Sequence, residues 1–339
     1  MNSRLLAFVS VAVLLAAGSA AYAVRDFDRY HAAHSAESTV PSTGAGDLAS
    51  GPRIVFRHTG IDKHYGQVAM VSLADPSGPR AFVDATCDRV YATRDRASCL
   101  VIHRGVVTKY EALDLGADWS VLHTTQLPGI PSRTRLSPDG TLVATTSFVT
   151  GHAYMATGFS TSTEVRRFDG RSYGDLEDFA LVIDGRPANP TDRNIWGVTF
   201  RNDDRTFYAT VATGGRTYLA KGDLVDRTLT TITTNAECPS LSPDGTRVAF
   251  KVDLDRGPAT DWEVAVLDLA TGKRTEIDST RGLDDQVAWL DDDTLLYGLP
   301  RTDQPGTTDV WSVDVQPDAA PTLLIKQAWS PAVVRRDKS

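Results

Sequence analysis

"RLSPDGTLVATT" (residues 135–146) and "SLSPDGTRVAFK" (240–251) contain the same turn, Ser-Pro-Asp-Gly-Thr, more than a hundred residues apart. Proline at the second position of this turn sets φ for a type I turn, and glycine at the fourth adopts the left-handed conformation that closes a hairpin with a bulge. The "RVAF" that follows the second copy has the alternation expected of a half-buried strand. Each copy therefore predicts a hairpin of two antiparallel strands.

Weaker copies of this hairpin occur along the rest of the chain, with turns that begin near residues 48, 93, 201 and 290. With the two clear copies, the spacing is 41 to 48 residues, apart from one interval of 64 residues. Each copy continues into a third and a fourth strand, most clearly in "EVAVLDLATGKRTEID" (263–278). Four-stranded units repeated at about 40–50 residues are the blades of a β-propeller. We predict an all-β, six-bladed β-propeller over residues 52–336, with four antiparallel strands in each blade.

The last segment, "KQAWSPAVVRR" (326–336), resembles the first strand of another blade that is not continued. Such a strand can pair with the incomplete strand set of the first blade, which closes the ring and leaves no long exposed edge. We therefore expect the two ends of the propeller to meet in one sheet.

The N-terminal residues predict export from the cytoplasm. One arginine, an apolar run from Leu5 to Ala17 and the small residues before Val24 form a signal peptide at 1–23 with an A-x-A cleavage site. The alternative is an uncleaved membrane anchor that extends to about residue 24, since about 20 uncharged residues can span a bilayer. Residues 24–51 are polar and rich in Ser, Thr, Ala and Gly, and they predict a flexible linker. Both alternatives place the propeller outside the cytoplasm, secreted or associated with the cell envelope.

The formal net charge is −8, and the basic residues form no cluster. This argues against a nucleic-acid partner and against binding to anionic lipid, so that the N-terminal segment, if retained, would be the only membrane contact.

Three cysteines in an exported chain suggest a disulfide. Cys87 and Cys99 flank the turn of the second blade and form the candidate pair, although a turn centred near Arg94 would place Cys99 opposite about Val90. Cys238 is left over on the innermost strand of its blade, and we expect it to be a small buried apolar residue.

Familiar catalytic and cofactor motifs are missing from the sequence, including G-x-S-x-G, H-E-x-x-H and the glycine-rich phosphate loops. The histidines form no metal-like cluster, and the closely spaced carboxylates at 253–257 and 290–294 lack the full set of a calcium loop. We therefore predict no catalytic residues, no metal site and no cofactor. The interval of 64 residues contains a loop longer than a blade requires, and in it His152 and Tyr154, beside Gly151, are the candidate binding residues.

The two clear copies, "LSPDGTLVATT" and "CPSLSPDGTRVAFK", resemble the repeats of the TolB-type, WD40-like propeller family, whose blades contain SPDG followed by a basic residue and an apolar strand. The order of segments between about 140 and 251 is also similar to that of exported TolB-like proteins of high-GC bacteria. The resemblance implies a six-bladed extracytoplasmic propeller that binds protein or peptide partners without catalysis. It transfers no functional residue, because S-P-D-G is a turn. The α/β domain that precedes the propeller in TolB cannot be formed by residues 24–51.

The predicted function is a non-enzymatic module that binds a protein or peptide or acts as a scaffold. Two alternatives remain open. One is a propeller enzyme of lyase or hydrolase type with a site at the channel, and the other is a module that senses a carbohydrate or another ligand.

Overall fold

The computed structural model describes residues 34–149, 160–168, 170–254, 261–280 and 282–335, and residues 15, 19, 22, 24, 25, 27, 28 and 32. Regular structure in this part of the chain is almost entirely β. The exceptions there are the helical residues described at positions between 15 and 34, a five-residue helix, α1 (Ala45–Ala49), and a 3-10 turn, η1 (Leu176–Asp178). Among the same residues, no helix has the length and apolarity needed to cross a membrane. The signal or anchor at 1–23 lies almost wholly outside the described residues and stays a prediction.

The chain forms six sheets in sequence order. The first sheet contains β1 (Arg53–His58), β2 (Gln67–Ser72) and β3 (Ala81–Thr86). The second contains β4 (Arg89–Ala92), β5 (Arg96–His103), β6 (Lys109–Gly116) and β7 (Val121–Gln126). The third contains β8 (Ile130–Leu136), β9 (Leu142–Val149), β10 (Ser160–Arg167) and β11 (Ser172–Asp175). The fourth sheet contains β12 (Ala180–Ile183), β13 (Arg186–Ala188), β14 (Asn194–Phe200), β15 (Thr206–Thr213), β16 (Arg216–Asp223) and β17 (Thr228–Thr234). The fifth contains β18 (Glu237–Leu241), β19 (Arg247–Asp253), β20 (Trp262–Asp268) and β21 (Arg274–Ile277). The sixth contains β22 (Ala288–Trp289), β23 (Thr294–Pro300), β24 (Thr308–Asp314) and β25 (Thr322–Ile325), and the last strand, β26 (Ala328–Val334), joins the first sheet.

These sheets are the blades of a six-bladed β-propeller, as the repeat predicts. The innermost strands are β26, β4, β8, β14, β18 and β22 for blades 1 to 6, and each contacts the innermost strand of the next blade around the ring. Apolar clusters lie between neighbouring blades, such as the one that Tyr208 and Leu219 of blade 4 form with Val248 and Phe250 of blade 5. Burial between blades is therefore what holds the ring together.

The ring is closed by the C-terminal strand, as predicted. β26 pairs antiparallel with β1, from Arg53 opposite Val334 to His58 opposite Ala328, and becomes the innermost strand of blade 1. Three strands from the start of the chain and one from its end thus share one sheet. Unfolding either end of the propeller must therefore break the same blade.

The two SPDG turns have the same internal hydrogen bonds. Ser137 Oγ donates to Asp139 Oδ1 at 2.5 Å and accepts from the amide of Leu142, and Ser242 makes the same pair of bonds with Asp244 and Arg247. The glycines of both turns have a φ of +72°, which explains the need for glycine there.

Each SPDG turn also contacts the next blade. Thr141 Oγ1 donates to Asp204 of blade 4 at 2.5 Å, and the amide of Asp244 donates to Asp292 of blade 6 at 2.9 Å. The repeated turn therefore joins neighbouring blades as well as closing its own hairpin.

The interval of 64 residues adds two strands to blade 4. β12 and β13 form a hairpin at Asp184 and Gly185, which both have positive φ as a type I′ turn requires. β12 then pairs in parallel with the outermost strand β17, so that the sheet of blade 4 has six strands. The prediction of four strands per blade is confirmed, and the extra hairpin is an addition to it.

The predicted disulfide is present in blade 2. Cys87 and Cys99 are bonded, with Cα atoms 5.4 Å apart. Cys99 pairs in register with Val90, so Cys87 lies in the connection just before β4. The bond therefore ties the entry to blade 2 to its second strand. Cys238 is free and buried.

Residues 36–48, within the segment predicted as a linker, contact blade 1. The amide of Lys63 donates to the carbonyl of Ala36, the amide of Thr43 donates to that of Arg80, and Leu48 packs against the apolar cluster of blades 1 and 2. The boundary between linker and propeller stays a prediction.

A buried polar group beneath this segment joins blade 1 to the closing strand. His58 is fully buried; its Nδ1 accepts from Arg80 at 2.8 Å, so Nε2 carries the proton and donates to Asp62 at 3.1 Å. Arg80 also donates to the carbonyls of Lys326 and Gln327. Burial and the charge of Arg80 lower the pKa of His58 to about 4.

Candidate functional site

The antiparallel order of the strands gives the ring two faces. The SPDG turns lie on one of them, which we call the turn face. The other, the loop face, contains the connections between second and third strands, such as 59–66, 104–108 and 301–307, and the connections between blades, such as 127–129 and 278–287. Long connections to the loop face make it the place where the scaffold can present a site.

A short segment from the connection between blades 5 and 6, Asp284–Val287, lies at the centre of the ring. We call it the central segment. Gln286 Nε2 donates to the carbonyl of Pro239 in blade 5 at 2.6 Å and lies within 3.4 Å of the carbonyls of Gly197 and Val198 in blade 4. Asp285, Gln286 and Val287 are buried.

Arginines from blade 3, on the opposite side of the ring, contact the same segment. Arg133 Nη2 donates to the carbonyl of Asp284 and Arg135 Nη2 to that of Val287, both at 3.3 Å. The central segment is therefore held by blades that face each other across the channel, and it occupies the space between them.

Arg89 of blade 2 provides the charge opposite the central segment. Its Nη1 lies 3.3 Å from Asp285 Oδ1, and its guanidinium lies 3.8 Å from the centre of the Trp329 ring. Burial lowers the pKa of Arg89 to about 10, against the opposing effect of Asp285. For Arg133, burial opposes the charged form, and the neighbouring Cys238, Asp285 and Asp284 raise the pKa.

A second pair of charges lies on the side of blade 5. Lys251 Nζ is 3.0 Å from Asp284 Oδ1 and 4.1 Å from the centre of the Trp262 ring. Lys251 is opposite Glu237 in the strand register, and burial raises the pKa of Glu237 to about 7, although the charge of Lys251 opposes this. Glu237, Asp284 and Asp285 are thus three carboxyl groups that converge on the channel with arginine and lysine between them.

Cys238 lies among these residues on the innermost strand of blade 5, as predicted, and is buried. Its φ is +51°, and a Cβ added at Gly197 of blade 4 would lie 2.6 Å from its Cα. The two strands therefore approach each other as closely as backbones can, which only glycine at position 197 permits. The thiol packs inside the ring beside Arg133.

Exposed apolar side chains mark the loop face at blades 2 and 3. Val106 and Val107, at the tip of the connection after β5, are 108% and 73% exposed, and the neighbouring pair Ile130 and Phe148 at the top of blade 3 are 50% and 38% exposed. Other exposed apolar side chains of the blades lie on outermost strands or on the turn face: Val121, Leu122, Val225, Ile232 and Leu323. Val225, on the turn face of blade 4, is 64% exposed. Exposed apolar side chains on neighbouring blades of one face, such as those of blades 2 and 3, can form a surface that meets a partner.

The site residues chosen from the sequence have different outcomes. His152 and Tyr154 lie outside the described residues, so the binding loop stays a prediction, although Val149 and Ser160, the described residues nearest to it, are on the loop face. Sequence reasoning missed the central segment. The only signal for it was the 48-residue interval before the last blade, the longest of the regular spacings.

The chemistry available at the channel is that of a fixed array of charges. Within the described part of the chain, no group of three or more His, Cys, Asp and Glu side chains is placed to hold a metal ion. The cations and carboxylates are directed at one another or at backbone carbonyls, an arrangement that suits a rigid binding surface.

No family model and no curated protein matches this chain. Solved structures do match. TolB from Acinetobacter baumannii gives a TM-score of 0.58 at 15% identity, with 84% of this chain and 67% of that chain covered. A chain of a nidogen/laminin complex gives a TM-score of 0.52 at 12% identity, with 84% of this chain and 98% of that chain covered. The chain has a TolB-like β-propeller fold. Identities this low show the fold alone.

Proposed function

We propose that this protein is a non-enzymatic, extracytoplasmic propeller that binds a protein or peptide partner on its loop face. The exposed Val106 and Val107 at the tip of a loop carry the proposal, together with Ile130 and Phe148 on the next blade of the same face. Burial of these exposed apolar side chains by a partner would remove apolar surface from water, which favours binding.

The closed centre of the ring supports a binding surface. Arg89, Arg133 and Arg135 from two blades contact the central segment, so the channel is closed by a surface that carries both positive and negative charges. We call it the channel floor. A partner that approaches the loop face would meet an apolar rim and the channel floor, an arrangement similar to the apolar and polar parts of protein interfaces. The match to a chain of the nidogen/laminin complex, an assembly of proteins, is in keeping with a protein partner.

The Cys87–Cys99 disulfide supports a location outside the cytoplasm, since structural disulfides persist in oxidising compartments. Together with the expected signal or anchor at 1–23, it favours a secreted or envelope-associated protein that is tied to the membrane only if that segment is retained.

Chemical cross-linking in the producing cells, followed by purification of the tagged protein, tests the binding proposal. Val106→Asp with Val107→Asp should abolish the recovery of a specific partner, because charges on the loop tip oppose burial. Val225→Asp, the same change on the turn face, is the matched control and should leave recovery unchanged. Equal recovery by all three proteins, or recovery of no specific partner by the parent protein, would overturn the proposal.

A second candidate function, an enzyme with its site at the channel, is favoured by one observation. The pKa of Glu237 is raised to about 7, which is the range in which a carboxyl group can donate and accept protons near neutral pH. Hydrolysis of lactones or activated esters by the parent protein near neutral pH would support this function, provided that Glu237→Gln lowers the rate by at least about tenfold. Absence of turnover, or equal turnover by the variant, would contradict the enzyme function and leave binding as the remaining candidate.

A further inference from the structure

Blade 3 contains a cavity of about 220 Å³ on the side that faces blade 2. This is far more than the roughly 10–15 Å³ that one water molecule needs, and it is smaller than the roughly 300 Å³ at which pockets for drug-sized ligands begin. We call it the interblade pocket. Its lining residues are Gln126, Leu127, Pro128, Thr145, Ser147, Ser162, Glu164 and Asp175.

The repeat explains why a cavity exists here. Thr145 and Ser147 lie eight and ten residues after the serine of the SPDG turn in blade 3. The same positions in blade 5 are Phe250 and Val252, which fill the space against blade 4. Small polar residues in place of two large apolar ones leave the volume in blade 3 unfilled.

Two hydroxyl groups line the pocket without a hydrogen bond of their own. Thr145 is 4% and Ser147 is 1% exposed, and neither side chain has a hydrogen-bond partner among the described residues. Both hydroxyls can therefore exchange hydrogen bonds with an occupant of the pocket.

The rest of the lining gives the occupant its charge. Glu164 and Asp175 are neighbours across β10 and β11, and the described lining residues include no Lys, Arg or His. Asp175 Oδ2 accepts from Ser162 at 2.6 Å, Asp175 Oδ1 accepts from the amide of Glu177 at 3.0 Å, and Glu164 Oε1 accepts from Ser172 at 2.5 Å. These donors are neutral, and within the described part of the chain neither carboxylate forms an ion pair.

Glu177, next to Asp175, does not add to this charge. Its carboxyl accepts from Thr161 Oγ1 and the amides of Thr163 and Ile195, which lie on the side of blade 4. Burial, and then a side-chain hydrogen bond with Asp175 and the charge of Asp175, raise its pKa well above the ordinary value. Glu177 is therefore a structural group between blades 3 and 4 and does not line the pocket.

We infer that the interblade pocket binds a small ammonium compound that carries hydroxyl groups, such as an amino sugar. The ammonium group supplies the missing cation beside Glu164 and Asp175, and the hydroxyls satisfy Thr145 and Ser147. Gln126 Nε2 donates to the carbonyl of Tyr110, which leaves its Oε1 as a further acceptor at the rim. The inference does not depend on partner binding at the loop face.

Isothermal titration calorimetry with the whole protein tests it, with glucosamine as the probe. Glucose, which lacks the ammonium, and cyclohexylamine, which lacks the hydroxyls, should each bind at least about tenfold more weakly. Glu164→Gln should weaken glucosamine binding by about tenfold and leave glucose unaffected. Asp175 is left intact because it caps η1.

Glu276→Gln is the matched control, since Glu276 occupies on β21 of blade 5 the place that Asp175 occupies on β11; it should change nothing. Thr145→Phe, which restores the residue of blade 5, should fill the pocket and abolish binding. No heat with glucosamine, equal binding of glucose and glucosamine, or an unaltered affinity in Glu164→Gln would each overturn the inference.

Discussion

Blades 3 and 5 begin with the same SPDG turn and differ in what their sheets bury. In blade 5 the strand after the turn buries Phe250 and Val252 against blade 4. In blade 3 the equivalent strand buries Thr145 and Ser147, and the next strand buries Thr163. The turn thus decides the hairpin, while the residues after it decide whether the face between blades is a packed core or a polar surface.

The two sides of blade 3 show how a propeller accommodates buried hydroxyls. Toward blade 4, Thr163 Oγ1 donates to the carbonyl of Ile195 at 2.5 Å and lies 2.9 Å from Thr146 Oγ1, so these groups are satisfied. Toward blade 2, Thr145 and Ser147 meet a cavity instead. Burying a polar face costs little free energy where each hydroxyl has a hydrogen-bond partner. Where the hydroxyls line a cavity instead, they can bind a ligand.

The largest effect should come from the packed face of blade 5. Phe250→Ala removes a fully buried ring and should lower the free energy of unfolding by about 3–5 kcal/mol. Thr145→Ala, at the same position of blade 3, should cost less than about 1 kcal/mol, because it removes a hydroxyl without a partner and enlarges an existing cavity. Urea unfolding measures both, and equal costs would contradict the difference between the blades.

Blade 2 lacks the SPDG turn and has the disulfide instead, so its hairpin extends the comparison. Cys87→Ala with Cys99→Ala opens a cross-link between residues separated by 12 in sequence and should lower the unfolding free energy by about 3 kcal/mol on the loop-entropy model. Unfolding of the parent protein with and without reductant should show the same loss, whereas the double variant should not respond to reductant. Free thiols at both positions in the unreduced exported protein, seen by mass spectrometry, would contradict the bond.

The pH dependence of stability distinguishes two titratable groups, His58 and Glu237, whose pKa values are shifted in opposite directions. His58, with a pKa of about 4 in the folded state and about 6.5 unfolded, makes stability rise by up to about 3 kcal/mol as the pH rises from 4 to 6.5. Glu237, raised from 4.5 to about 7, contributes the opposite slope, because its stabilising protonated form is lost as the pH rises toward 7.

Between about pH 4.5 and 6.5 the opposite slopes of His58 and Glu237 nearly cancel in the parent protein. A variant that lacks one of the two groups should therefore show the pH dependence of the other. Glu237→Gln should become more stable with rising pH between about 4.5 and 6.5, and His58→Gln should become less stable. Thermal unfolding across this range measures the slopes. A flat curve for either variant would show that the pKa shift of the group it retains is absent.

The smallest effects should come from exchanging polar and apolar residues between the two blades. Val252→Thr places a hydroxyl in the packed face of blade 5 and should cost about 1–3 kcal/mol. Thr145→Val removes a hydroxyl that lines the pocket of blade 3 and should change the free energy of unfolding by less than about 1 kcal/mol when no ligand is present. Saturating glucosamine should stabilise Thr145→Val less than the parent protein. Equal stabilisation of both proteins would show that the ligand does not contact the hydroxyl.

Much of the fold could be predicted from the sequence because its signals are local. Turn chemistry at Ser137–Gly140 and Ser242–Gly245, alternation along single strands and a regular spacing are all contained within a few tens of residues. The pair Cys87 and Cys99 could be found in the same way, since both flank one hairpin. The hairpin at Asp184 and Gly185 carried a comparable signal but added strands to blade 4 that the repeat does not require.

The sequence by itself indicated a closed ring of six four-stranded blades, the strand that closes it and one disulfide. The reason is that turns, alternation and the count of repeated units, with one strand left over at the end, can all be read along the chain. Only the tertiary structure decided that Asp284–Val287 occupies the channel and that Thr145 and Ser147 open a pocket. Contacts such as Arg133 with Asp284 join residues about 150 positions apart, and they exist only once the curvature of the ring brings opposite blades together. Local patterns contain no information about that distance.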